Sequence, residues 1–81
     1  MSHFVVVIDW TSEGDNGCNV LGVEHSLEKA KEIFKDAVEA ELDIAANNGW
    51  TIYEHNDCEF DAGEDGCCAD NHSRIFIQEV I

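Results

Sequence analysis

The sequence predicts an α+β fold with two layers, in which one helix packs on a mostly antiparallel sheet. Three observations lead to this fold class. A short apolar run lies near the start of the chain, a long amphipathic segment lies in its middle, and further short apolar runs follow. The expected order is two strands, a helix, and then two or three strands. With 81 residues, the chain is the size of a single domain, expected to span residues 1–81.

Short β-branched and apolar runs predict the strands. Residues 4–8 are apolar at every position, which is typical of a strand covered on both faces. Residues 12–19 are polar and contain two glycines, so they predict a loop. Residues 20–23 predict a second strand that pairs with the first as a hairpin. Further strands are predicted at residues 50–53, around residues 58–60, and at residues 74–81.

A helix is predicted between Ser26 and Gly49. Ser26 is a common N-cap residue, Glu28 suits the positive end of the helix dipole, and Gly49 can adopt the left-handed conformation that ends a helix. Glu41 falls within the apolar stripe and is expected to stay in water where the helix overhangs the sheet. The stripe itself comprises Leu27, Ala30, Ile33, Phe34, Ala37, Val38, Ile44 and Ala45.

One helix covers one face of a sheet, so the other face of the first strand needs a different cover. We expect residues 54–73, a second copy of the chain or a partner protein to meet it. A homodimer is therefore one of the predicted arrangements.

The chain is strongly acidic, with 18 Asp and Glu against 4 Lys and Arg and a net charge of −14. Direct binding to nucleic acid is disfavoured, because it requires cations that displace the counterions of the phosphates. An anionic membrane surface is disfavoured for the same reason. A basic protein surface is the expected partner, and a purely solubilising role of the charge is the alternative.

Two groups of carboxylates are candidates for that contact. The helix carries an acidic row of Glu28, Glu32, Asp36, Glu39 and Asp43, diluted by three lysines, and a solvated outer face is its alternative reading. Residues 54–73 have no Lys or Arg among their acids, so the field of these acids is not cancelled locally. The region from Glu54 to Asp70 is therefore expected to form the main contact, with the helix secondary. These predicted partner-binding residues are Glu54, Asp57, Glu59, Asp61, Glu64, Asp65 and Asp70.

The same segment concentrates cysteine and histidine. Cys58, Cys67, Cys68 and His72 supply four donors of the kind that a structural zinc ion takes, and such an ion would hold residues 54–73 in shape. Two adjacent cysteines rarely bind one ion without backbone strain. Cys18 or His55 is therefore an alternative fourth ligand. Free thiols, a disulfide and calcium are further alternatives.

No pattern predicts an enzyme. Cys67 or Cys68 could pair with His72, but an active thiolate needs an electropositive setting and acids surround this pair. Neither a Cys-x-x-Cys motif nor a glycine-rich phosphate loop is present. Binding rather than catalysis is expected. Without a signal-peptide pattern or a run long enough to span a bilayer, the expected location is the cytoplasm.

Four stretches carry a resemblance to a known class of proteins. They are FVVVIDW at residues 4–10, LGVEHSLEKAK at 21–31, GWTIYE at 49–54, and the cysteine- and histidine-rich stretch at 58–72. Together they resemble small zinc-containing anti-CRISPR proteins of the type II-A class, encoded on bacterial mobile elements. The resemblance implies a stoichiometric inhibitor that binds the Cas9 nuclease and stops it from engaging target DNA, with a structural zinc. The alternative is a phage- or mobile-element-borne module that binds another basic protein, such as a toxin or a DNA-binding factor.

Overall fold

One helix packs on a five-stranded antiparallel sheet in the computed structural model, which describes residues 3–64 and 71–81. The sheet order is β2-β1-β5-β4-β3, and the predicted α+β class is confirmed. The elements are β1 (His3–Ser12), β2 (Asp15–Glu24), α1 (Leu27–Asn48), β3 (Thr51–His55), β4 (Glu59–Gly63) and β5 (His72–Val80).

The hairpin of β1 and β2 is longer than the sequence predicted. Residues 12–19 were expected to form a loop, but the strands pair up to Ser12 opposite Asp15. Only Glu13 and Gly14 form the turn, and both have positive φ, 48° and 85°. Two residues with positive φ make the kind of turn whose twist matches that of paired strands. The loop prediction is wrong because backbone pairing between the two strands continues through these polar residues. Their side chains are not buried, so the apolar pattern gives no sign of a strand there.

Helix α1 begins and ends where its terminal residues predicted. Ser26 precedes it with extended backbone, φ −114° and ψ 132°, although its side chain makes no capping hydrogen bond. Gly49 follows it in the left-handed conformation, with φ 69°. The N–H of Trp50 then donates to the carbonyl of Ala45 at 2.9 Å. This bond satisfies one of the carbonyls that a helix end leaves without a partner.

The core lies between α1 and one face of the sheet. Alternating residues of β1, such as Phe4, Val6 and Ile8, point towards the helix. Glu41 is partly exposed, as a helix that overhangs its sheet would leave it, while Leu27 and Ile44 at the ends of the predicted stripe are exposed. The buried cluster comprises Val6, Ala30, Phe34, Val38, Phe60, Ala62 and Ile75.

The opposite face of the sheet is not covered by any described element. Residues 54–73 were one of the expected covers, but the described part of this segment supplies β4 and the start of β5 and so lies within the sheet. Val5 and Val7 of β1 are partly exposed on that face. Within the described part of the chain no element covers this face of the first strand, and its cover by a second copy or a partner stays a prediction. No helix in that part is long and apolar enough to cross a membrane.

Candidate functional site

The uncovered side of the sheet, called the open face below, divides into two halves along the strands. Strand pairing places Val5 opposite Val23, and Val7 opposite both Val20 and Phe76. Residues directly opposite each other in a sheet point to the same face, so these side chains form one patch. This apolar half comprises Val5, Val7, Val20, Val23, Phe76 and Val80.

The other half of the open face is acidic. Asp9 lies opposite Arg74 across the β1–β5 ladder, and Asp61 lies opposite Arg74 and Glu54 on its two sides. Glu59 lies opposite Phe76 and so borders the apolar half. Four carboxylates thus share this half of the open face with one guanidinium, and Glu59 is the one that pairs with it. The acidic half comprises Asp9, Glu54, Glu59, Asp61 and Arg74.

Arg74 forms an ion pair with Glu59. Its Nη2 lies 2.8 Å from Oε2 of Glu59, and its Nε donates a hydrogen bond to the same oxygen at 2.9 Å. Its guanidinium carbon also lies 4.6 Å from the ring centroid of Phe76, a cation–π geometry. The expectation that no base weakens the field of these acids is wrong. Strand pairing brings Arg74, which is 15 residues from Glu59 along the chain, into contact with Glu59.

His72 approaches Asp61 at the end of the acidic half. Nε2 of His72 lies in contact with Oδ1 of Asp61, but the contact is not aligned as a hydrogen bond. That carboxylate oxygen is buried and has no hydrogen-bond partner among the described residues. A buried carboxylate oxygen without a hydrogen-bond donor is costly. Among the described residues, His72 is the neighbour whose side chain contacts this oxygen.

The predicted partner-binding residues do not form one surface. Of the described ones, Glu54, Glu59 and Asp61 share the open face. Asp57 instead lines a groove on the helix side with Lys31 and Lys35. Glu64, beyond β4, accepts a hydrogen bond from Nδ2 of Asn71. Asp65 and Asp70 lie outside the described residues. The sequence analysis did not single out Asp9. The available signal was its spacing of two residues from Val7 and four from Val5, which places the three side chains on one face of β1.

The acidic row on α1 is exposed along its whole length. At about 100° per residue its members span an arc of about 80°, on the side of the helix opposite to the buried Ala30, Phe34 and Val38. No member of the row forms an ion pair with another described residue. The row contains no apolar side chain, which is typical of a helix face that meets only water.

The two described residues of the predicted zinc set lie far apart. The carbonyl of Cys58 accepts a hydrogen bond from the N–H of Ile77, whereas His72 lies five residues further back along β5, opposite Gly63. Five residues of a strand span about 17 Å, and zinc ligands lie within about 2.3 Å of the ion. Cys58 and His72 therefore do not share one ion in this structure.

The two alternative ligands, Cys18 and His55, lie on opposite faces of the sheet. Cys18 lines a groove on the open face that His72 also lines, while the ring of His55 packs edge-on against Phe60, on the helix side of the sheet. Cys67 and Cys68 lie outside the described residues. Within residues 3–64 and 71–81, no three metal-binding side chains come together. Zinc binding stays a prediction.

The position of Cys58 makes the zinc prediction testable. Because Cys58 is exposed and remote from His72, Cys58→Ser is expected to leave the zinc content unchanged and to alter the free energy of unfolding by less than about 0.5 kcal/mol. Elemental analysis of protein purified without added metal, with the unmodified chain as the reference, measures the first. If Cys58→Ser loses a full equivalent of zinc, Cys58 is a ligand and the predicted set of four ligands is supported. An unmodified chain with well under half an equivalent contradicts zinc binding altogether.

Comparison of the chain with known protein families, with curated proteins and with solved structures finds no match. The fold and site define the class at a coarser level: a small acidic α+β chain in which the described residues leave one amphipathic face of the sheet uncovered. The anti-CRISPR resemblance has no support from these comparisons, and Cas9 enters below as a proposal.

Proposed function

We propose that this chain is a non-catalytic binding module that docks a basic surface of a partner protein through the acidic half of the open face. The observation that carries this proposal is that four carboxylates and an exposed apolar patch lie together on the sheet face that no described element covers. Protein interfaces commonly combine an apolar centre with a polar rim. The acidic row on α1 lacks such a centre.

The charge of the chain supports a basic partner. A net charge of −14 on 81 residues raises the rate of encounter with basic surfaces and disfavours acidic ones. Arg74 offsets part of the acidic half, yet Asp9 and Glu54 are exposed and form no ion pair with other described residues. These two carboxylates remain open to cations from outside.

Cas9 is the partner that the sequence resemblance names. It holds its guide–target duplex in a positively charged channel and reads its short recognition motif with arginines. An acidic chain bound to such a surface would compete with DNA and would inhibit by occupancy, without chemistry of its own. A toxin or a DNA-binding factor with a basic surface is the alternative partner.

A cleavage assay at several salt concentrations tests the proposal. We expect Cas9 cleavage of a target duplex to stop at about one chain per nuclease, and the affinity to fall as salt rises, because exposed charges act over a Debye length of about 8–10 Å. Affinity that does not change with salt contradicts a charge-driven contact. If Cas9 cleaves fully at a large excess of the chain, while the chain binds another basic protein in a salt-dependent way, Cas9 is not the partner. The proposal of a binding module for a basic protein then stands.

A further inference from the structure

The apolar half of the open face is unusual for a sheet face that no described element covers. Antiparallel sheets with one face in water usually carry polar side chains there. Here Val20 is 61% exposed, Val23 55% and Val80 47%. Val20 and Val23 continue the partly exposed Val5, Val7 and Phe76 into one patch across three strands, while Gln78, opposite Val5, separates Val80 from it on β5. Contiguous exposed apolar surface of this kind marks a docking surface.

The dimensions of the apolar half suit a helix. It crosses β2, β1 and β5, which at about 4.8 Å between strands is about 10 Å, and it extends over about four residues, or 14 Å. A helix is about 10–12 Å wide, and two turns are about 11 Å long. Helix α1 already packs against the same three strands from the opposite side. A second helix on the open face would complete a three-layer arrangement.

Charge decides which helix fits. Glu59 borders the apolar half and Asp9 lies just beyond it, so a docking helix gains from cations at that end. A second copy of the chain brings negative charge instead of cations: each copy carries −14, and the outer face of its own helix is the acidic row. Like charges brought together across an interface disfavour self-association.

We propose that the apolar half of the open face receives an amphipathic helix of a partner protein, whose apolar stripe packs on Val5, Val7, Val20 and Val23. Lysine or arginine side chains of that helix then reach the acidic half. The lysine or arginine side chains in this inference rest on the proposed function, in which the partner is basic. The apolar stripe of the helix rests on the exposed valines alone.

Two synthetic peptides of leucine and lysine, each about 14 residues long, are suitable probes. One places its leucines along one helix face, and the other has the same composition in scrambled order, so their charges are equal. We expect the segregated peptide to bind the full chain at least about tenfold more tightly than the scrambled one in fluorescence anisotropy. The double variant Val20→Thr/Val23→Thr should abolish this preference, because threonine keeps the β-branched shape and adds a hydroxyl.

The matched control is Ile44→Thr/Ile52→Thr, which changes two side chains of similar exposure, 41% and 45%, away from the open face. This control should keep the preference, and circular dichroism should show that both variants fold. Equal binding of the two peptides, or a preference that survives Val20→Thr/Val23→Thr, overturns the inference. So does a dimer of the unmodified chain in light scattering that Val20→Thr/Val23→Thr converts to a monomer, because the occupant is then a second copy.

The two proposals fail separately. Neutralising the carboxylates of the acidic half should weaken both peptides alike, whereas the valine changes should weaken only the segregated one. If the valine changes do not weaken the segregated peptide but neutralising the carboxylates weakens both peptides, only the helix site is contradicted. If the valine changes weaken the segregated peptide but neutralising the carboxylates has no effect, the charge-driven function is contradicted and the apolar site stands.

Discussion

Ile75→Ala is expected to lower the free energy of unfolding by about 2–5 kcal/mol, the usual cost of removing a large aliphatic side chain from a core. Ile75 is fully buried and lies on the central strand β5, opposite Ile8 on one side and Phe60 on the other. Alanine would leave a cavity between the sheet and α1. A chain of this size has a total stability of about 5–15 kcal/mol at most, so a large share of it would be lost.

Ile52→Ala is the matched control, because it makes the same chemical change in another strand. Ile52 is 45% exposed on the edge strand β3, so its replacement should cost less than about 1 kcal/mol. Urea denaturation of the two variants measures the difference. Similar losses for both would place the core elsewhere than between α1 and the inner face of the sheet.

Neutralising the acidic half should weaken binding to a basic partner by about tenfold or more. The variant carries Asp9→Asn, Glu54→Gln, Glu59→Gln and Asp61→Asn. Each exposed ion pair is worth about 0.2–1 kcal/mol, and 1.4 kcal/mol is tenfold in affinity. The change should act mainly on the charge-dependent part of binding, so the salt dependence should become shallower as well.

A variant with four neutralised acids on α1 distinguishes the loss of a binding site from the loss of total charge. It carries Glu32→Gln, Asp36→Asn, Glu39→Gln and Asp43→Asn, and so removes the same four charges from the opposite side of the molecule. Titration calorimetry against Cas9 compares the two. We expect the helix variant to lose less affinity, since its loss reflects only long-range attraction. If it loses more while both variants remain folded, the contact lies on α1, and the predicted site is wrong even with the right partner.

The helix and most strands were predictable because their signals are local. Ser26, Gly49 and the apolar stripe define α1 from neighbouring residues alone, and β-branched runs define the strands. The hairpin of β1 and β2 was predicted, but its length was not. A two-residue turn at Glu13 and Gly14 extends backbone pairing through residues whose side chains favour a loop.

The candidate site was less predictable because it depends on which strands are neighbours. Counting charges along the chain placed Arg74 outside the acidic segment, whereas the β4–β5 ladder places it opposite Asp61 and bound to Glu59. The same ladder separates Cys58 from His72, which are close in sequence only. The apolar run at residues 4–8 correctly indicated two apolar faces. It could not indicate that the described chain supplies a cover for only one of them.

The place of β5 between β1 and β4 has a consequence for how the chain folds. Without the β1–β5 ladder the sheet divides into a local hairpin, β1–β2, and a local meander, β3–β4–β5. The ladder pairs His3 with Val80 and Thr11 with His72, so closing it means bringing together distant parts of the chain. Because Val6 and Ile75 lie on its two strands, neither piece can bury the core by itself. The hairpin and the meander are therefore expected to become stable together, in a single cooperative step.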